Sequence, residues 1–138
     1  MYVFYCTGHV YLNITMREAL RKHRISFENA LSGLFWALKT QPNFRVHLTV
    51  SLAVLILGFY YQLSGLEMTV IVFTIILGLA AEMINTSIEA MTDLITKDWR
   101  MEAKIAKDVA AGMMLLVAIG AVFIAFLIFF PHISRGLI

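Results

Sequence analysis

The chain predicts an all-α membrane protein with three crossing helices. Three observations carry this: composition, three long apolar runs, and cations gathered on one side. Of 138 residues, 60% are hydrophobic and 14% charged, against about 45–50% and about 25% in an ordinary soluble domain. A soluble domain this small has too much surface for its volume to hide so much apolar area. Soluble globular, disordered and coiled-coil classes are therefore excluded, and the length allows one compact domain. The single cysteine, Cys6, leaves no internal disulfide and no Cys-based zinc site. A net charge of +2, with no basic stretch interleaved with aromatics, argues against a nucleic-acid partner.

The first apolar run covers residues 46–63, with His47 its only ionisable group. The second covers 68–81 and then meets Glu82; the third covers 109–130, has no ionisable residue and ends at Pro131. Crossing about 30 Å of hydrocarbon takes about 20 helical residues. Runs one and three suffice, and run two does if its helix continues through Glu82 towards Asp93. Ser64-Gly65-Leu66-Glu67 is expected to form the turn joining the first two spans as a hairpin, since Ser and Gly suit turns.

Arg17, Arg21, Lys22, Arg24, Lys39 and Arg45 precede the first span, and Lys97, Arg100, Lys104 and Lys107 lie between the second and third. Only Arg135 of the eleven cations follows the third. This places the N-terminus and second loop in the cytoplasm and the C-terminus outside. Residues 16–45 form an expected cytoplasmic surface region. Leu20, Ile25, Phe27, Leu31, Leu34, Phe35 and Leu38 stand there among Arg, Lys, His and Asn, an amphipathic helix suited to the membrane interface. Ser26 is a candidate N-cap for its second half. Residues 1–15 lack a cationic leader region and are not a signal peptide; no function is assigned to them. Residues 46–131 form the membrane domain, and 132–138 a short external tail.

The most informative segment is 82–93. Glu82, Asn85, Glu89 and Asp93 are spaced 3, 4 and 4 apart. At about 100° per residue they fall within an arc of roughly 80°. Three carboxylates and a carboxamide in one line on a helix leaving the membrane are costly, because a mid-bilayer acid costs about 2.5–3.5 kcal/mol on insertion scales. A solvated helix end pairing with loop cations would explain Asp93 alone. The full line fits a metal-assisted site better, with carboxylates holding a hard cation and a metal-free carboxylate as general base. A second line, Lys97, Arg100, Lys104 and Asp108, has the same spacing with Lys107 beside it; if helical, it is a basic strip facing the acidic one. For Lys97 and Arg100, plain positive-inside flanking explains as much. The chain has no phosphate loop, dinucleotide fingerprint, protein-kinase set or nucleophile elbow. His9, His23, His47 and His132 are scattered, and His47 reads as an interfacial residue rather than a ligand.

Residues 82–93, Glu-Met-Ile-Asn-Thr-Ser-Ile-Glu-Ala-Met-Thr-Asp, resemble the signature of the prokaryotic diacylglycerol kinase family, which includes the undecaprenol kinases. Ala106-Lys107-Asp108-Val109-Ala110-Ala111-Gly112 resembles its second motif, and Asn43-Phe44-Arg45-Val46-His47 its entry to the first span. The likeness covers roughly residues 20–131. It implies a homotrimeric helical bundle of three-span protomers, each preceded by the amphipathic interfacial helix, with active sites shared between subunits. It implies transfer of the ATP γ-phosphoryl group to a lipid hydroxyl with magnesium. By position, Glu82 resembles the general base, with Asn85 and Ala111 beside the lipid. Lys22, Asn29, Gln41, Glu89, Arg100, Lys107 and Asp108 fall at nucleotide contacts. Glu89 and Gln41 fall at the metal, and Asp93 supports the site. His47 and the Asn43-Phe44-Arg45 run resemble the polyprenol branch, which favours undecaprenol over diacylglycerol as acceptor.

Two positions depart from the family pattern. Gln41 stands where a second metal-binding glutamate is usual, offering a carbonyl oxygen without charge, and Asn29 stands where an aromatic nucleotide contact is common. Gln41 motivates an alternative reading, a catalytically impaired kinase-like protein that binds lipid or nucleotide. A third reading, an ion pathway through Glu82 and Asp93, finds no matching acid in the other spans.

Overall fold

The computed structural model describes residues 16–135. Residues 1–15, with Cys6 and His9, and residues 136–138 of the expected tail lie outside the described residues. Four helices follow in order: α1 (Met16–Thr40), α2 (Pro42–Tyr60), α3 (Gly65–Ile95) and α4 (Met101–Arg135). Among the described residues there is no strand. Helices α2, α3 and α4 are long and apolar enough to cross a membrane, and the chain is an all-α membrane protein.

The chain divides into two compact units, one ending at Trp36 and one beginning at Ala37. In the first unit α1 runs without a break. Ser26 is not an N-cap: its Oγ donates to the Lys22 carbonyl at 2.9 Å, the back-bonding of a serine inside a helix. No proline or glycine lies within six residues of it, so nothing interrupts the ladder. Leu20, Phe27, Leu31 and Leu34 lie at steps of 7, 4 and 3 on one face, and all are exposed. Arg24 and Glu28 pair on the polar surface at 3.5 Å.

In the second unit α3 packs against both α4 and α2, most extensively against α4. The first crossing helix starts at Pro42 rather than residue 46, because proline at the first helical position gives up only an N–H that has no partner there. It ends at Tyr60 rather than residue 63. Gln62 has φ 53°, the Leu63 N–H donates to the Gly58 carbonyl at 3.0 Å, and the Gln62 N–H donates to the Phe59 carbonyl at 3.2 Å. This is a Schellman cap with glutamine at the left-handed position that glycine prefers. Gly58 lets Leu63 and Met68 close over its bare backbone: a Cβ there would lie 3.3 Å from Leu63 Cδ1 and 2.8 Å from Met68 Cε. Gln62→Gly is expected to stabilise the fold by about 0.5–1 kcal/mol, since the left-handed penalty of about 1–2 kcal/mol outweighs the added chain entropy. Thermal unfolding in detergent reads this, and a lower melting temperature would contradict it.

The expected Ser64–Glu67 turn is instead the start of α3. Ser64 is the N-cap and Glu67 the third helical residue of a capping box. Glu67 N–H donates to Ser64 Oγ at 3.3 Å, and Ser64 N–H donates to Glu67 Oε2 at 2.8 Å. The other Glu67 oxygen lies 3.0 Å from His132 Nε2, which ties the start of α3 to the last turn of α4. Pro131 does not stop the third span, and residues 132–135 continue it. Proline removes one hydrogen bond, to the carbonyl four residues back. The turn beyond it is held by His132 on Glu67 and by Ser134 Oγ on the Pro131 carbonyl at 3.1 Å. Tyr61 meets Phe129 edge-on, with centroids 6.2 Å apart, at the same end.

Candidate active site

Helix α3 has 31 residues and is about 46 Å long at 1.5 Å per residue, well beyond the roughly 30 Å of a hydrocarbon core. Measured from its capped start, Glu82 comes at about 26 Å and Asn85 at about 30 Å along the helix. Glu89 and Asp93 lie beyond. The helix does continue through Glu82 past Asp93, so the polar line is real.

Its burial is selective. Glu82 is 2% exposed and Asn85 6%, and Thr86 and Thr92 are buried with them. No described residue bonds to the Glu82 carboxylate. Asn85 Nδ2 donates to Glu89 Oε1 at 3.0 Å, while Asn85 Oδ1 is buried without a partner. An unpaired buried carbonyl costs about 1–3 kcal/mol, so this end of α3 holds polar groups arranged for something other than self-satisfaction. Thr92 Oγ1 donates to the Ile88 carbonyl at 2.7 Å. Thr86 and Thr92 escaped the sequence reading, although Thr86 sits one turn from Glu82 and Thr92 two turns from Asn85.

The facing strip is shorter than expected. Lys97 and Arg100 are not on α4 but in the linker before it, where the Arg100 carbonyl accepts from the Lys104 N–H at 3.0 Å. The chain leaves α3 at Thr96 in extended conformation, and the Asp98 N–H donates to Thr96 Oγ1 at 3.1 Å. Arg100 lines a cavity of about 490 Å³ with Thr92, Thr96 and Glu102. On α4, Lys107 Nζ donates to Asp93 Oδ1 at 2.6 Å. Asp108 points elsewhere, to Lys104 on its own helix. The structure therefore joins Asn85 with Glu89 and Asp93 with Lys107, and leaves Glu82 free. Ala111 is exposed on α4, one turn beyond Lys107.

Gln41 precedes α2, and its Nε2 makes a long 3.5 Å contact with Thr40 Oγ1. Lys22 and Asn29 are exposed on α1 in the first unit. His47 is half-buried and lines a cavity with Val50 and Ser51. Among the described residues no three His, Cys, Asp or Glu side chains converge on one point. That donor set suits magnesium, which usually takes one or two carboxylates plus substrate phosphates and water instead of a protein cage. Glu89, half-buried and tied through one oxygen to Asn85, fits such a role.

The fold and site together define a small helical membrane protein with buried acid chemistry at one end of its bundle. Residues 28–129 match the model of the prokaryotic diacylglycerol kinase family. An undecaprenol kinase of Bacillus subtilis is 39% identical over 118 residues, covering 85% of this chain and 95% of that protein. A diacylglycerol kinase of Synechocystis sp. is 36% identical over 108 residues, covering 78% of this chain. The chain spans 62% of that second protein's length. It belongs to the prokaryotic diacylglycerol kinase family, and it is a membrane lipid kinase.

Proposed function

We propose that the protein transfers the γ-phosphoryl group of ATP to the hydroxyl of a membrane lipid, undecaprenol or diacylglycerol, at the cytoplasmic face of a prokaryotic inner or plasma membrane. The observation that carries this is Glu82: a buried carboxylate without a partner, at the depth where a lipid hydroxyl rests. The hydroxyl oxygen bonds to the γ-phosphorus, the bond to the bridging oxygen breaks, ADP leaves, and Glu82 takes the hydroxyl proton. Asn85 orients the hydroxyl through its unpaired carbonyl, with Ala111 across the lipid. Lys107, held by Asp93, contacts the nucleotide, as do Asp108 and Arg100. Glu89 and Gln41 would hold magnesium, which supplies neutralisation of phosphate charge. Phosphoryl transfer rests on such positioning and neutralisation more than on covalent chemistry.

The one-sided cations support an N-terminus inside and a C-terminus outside. The exposed apolar faces of α2, α3 and α4 accommodate both lipid and the neighbouring subunits of a homotrimer with shared active sites. Purified protein in mixed micelles with magnesium and radiolabelled ATP is expected to label undecaprenol or diacylglycerol. No label in either, from folded protein, would overturn the reading.

Gln41 favours a second reading, a kinase-like protein that binds lipid or nucleotide with impaired transfer. Gln41→Glu separates the two. An impaired protein is expected to gain at least about tenfold in rate at limiting magnesium, through a charge-assisted ligand. An unchanged rate and magnesium dependence would mean that the glutamine is already accommodated in a competent site.

A further inference from the structure

A threonine inside a helix ordinarily returns its hydroxyl to the carbonyl four residues back. Thr49, Thr69, Thr74 and Thr92 all do so, at 2.7–2.8 Å. So does Ser87, on the exposed side of α3, at 2.8 Å. Thr86 does not. It is 7% exposed, and no described residue hydrogen-bonds to its side chain. A buried hydroxyl without a partner is a standing cost to the fold, although a carbonyl that could accept it lies one turn away.

Thr86 stands four residues after Glu82 and one after Asn85. Cβ atoms four residues apart on a helix are about 5–6 Å from each other, and helical side chains lean towards the N-terminus. Thr86 therefore lies over the turn that begins at Glu82. The Asp93–Lys107 and Glu67–His132 contacts fix the height of α4 against α3. They bring Met114 and Ala110 to the level of Thr86 and Glu89, and both are buried with no amide, hydroxyl or charge to offer. One turn of α3 thus holds three side-chain groups without a partner among the described residues: the Glu82 carboxylate, Asn85 Oδ1 and the Thr86 hydroxyl. A carboxylate and an amide oxygen only accept, whereas a hydroxyl can donate.

We infer that Thr86 holds the oxygen of the acceptor hydroxyl during transfer. The inference rests on the lipid kinase reading and adds a substrate-contacting residue to it. A lipid hydroxyl has one proton to give, and both Glu82 and Asn85 Oδ1 can only accept it. Neither can hold the oxygen itself, whose lone pairs stay free to swing about the C–O bond. An O–H donor from Thr86 occupies one lone pair and leaves the other to face the γ-phosphorus. As that second pair forms the new O–P bond, the bond to the bridging oxygen of ATP breaks. The hydroxyl proton passes to Glu82, and Thr86 keeps its own. Fixing the direction of attack contributes to rate more than to lipid affinity. A serine serves there as threonine does; a valine of the same shape does not.

Thr86→Val and Thr86→Ser in the full chain test this, in mixed micelles with undecaprenol or diacylglycerol. Thr86→Val is expected to lower kcat about tenfold, with KM for lipid and for ATP within about threefold of wild type. Thr86→Ser is expected to keep kcat within about threefold of wild type. The unfolding midpoint of Thr86→Val should stay level or rise, since the fold loses only an unpaired hydroxyl. Wild-type kcat in the valine variant, or a serine variant as slow as it, would overturn the inference. So would a lower midpoint in Thr86→Val, which would mean that the hydroxyl has a partner in the protein, in this chain or another copy. A second measurement needs no turnover. In protein with isotope-labelled threonine methyls, the Thr86 signal is assigned by its loss in Thr86→Val. It is followed as undecaprenol or dioctanoylglycerol is added, each beside a counterpart with hydrogen in place of the hydroxyl. Movement with an alcohol and not with its deoxy counterpart supports the contact; equal movement with both, or none with any, overturns it. If the wild-type protein labels neither lipid, the kinase reading fails while the methyl titration still reports on the contact.

Discussion

Glu82→Gln is expected to lower phosphoryl transfer by about 10²–10⁴-fold, the usual contribution of a positioned general base, while leaving the protein at least as stable as the wild type. The two halves of this result have one cause. Glu82 is 2% exposed and accepts no hydrogen bond from a described residue, so the fold bears the cost of burying a carboxylate without compensation. Glutamine keeps the shape, removes the charge and cannot accept a proton from the lipid hydroxyl. Initial rates with radiolabelled ATP read the loss, and thermal unfolding in the same detergent reads the stability. Wild-type turnover in this variant would remove Glu82 from the chemistry. Lost turnover with a falling melting temperature would make it a structural residue.

The largest loss of stability is expected at the opposite end of the molecule, in Glu67→Ala. One carboxylate there accepts from the Ser64 N–H through Oε2 and meets His132 through Oε1. Its removal undoes half of a capping box and frees the last turn of α4 beyond Pro131. Ser64→Ala, which removes the N-cap, is expected to cost about 1 kcal/mol, and Glu67→Ala more. His132→Ala should matter much less once Glu67 is gone, because the two share one contact. Unfolding midpoints of the two single variants and the double variant measure that coupling. Additive losses would show that His132 and Glu67 act separately. Since this cluster lies about 22 Å along α3 from Glu82, residual activity per folded molecule should match the wild type.

The three crossing helices were legible because apolar runs of that length admit no other solution, and the acid line was legible because helical spacing alone puts its members on one face. The helix ends were less so, for reasons visible in particular residues. Pro42 and the Ser64-x-x-Glu67 pattern are local signals of helix starts, and reading them as flank and turn misplaced both boundaries. Pro131 was read as a stop because its local cost is real; the contact that holds the next turn comes from Glu67, distant in sequence. No pattern within one segment announces such a pair. Lys97 and Arg100 continued a helical spacing on paper, but the chain turns at Thr96, where a side chain takes over the backbone hydrogen bonding. Within the site, the acid line was readable and its pairing was not. That Lys107 answers Asp93 while Asp108 answers Lys104 depends on the rotation of α4 against α3.

The excess length of α3 has a consequence for the lipids around the protein. The helix is tied to α4 at one end through its cap and His132, so it cannot slide within the bundle to suit a different bilayer. Thickening the hydrocarbon layer by about 3 Å moves its far boundary two residues along α3, from just short of Asn85 to beyond it. Thinning it by the same amount brings Glu82 close to water. The mismatch between a fixed rod and a variable solvent layer then determines whether the lipid hydroxyl and the carboxylate sit at the same height. With Glu82 as the base proposed above, the rate of transfer is expected to vary with the acyl-chain length of the surrounding lipids.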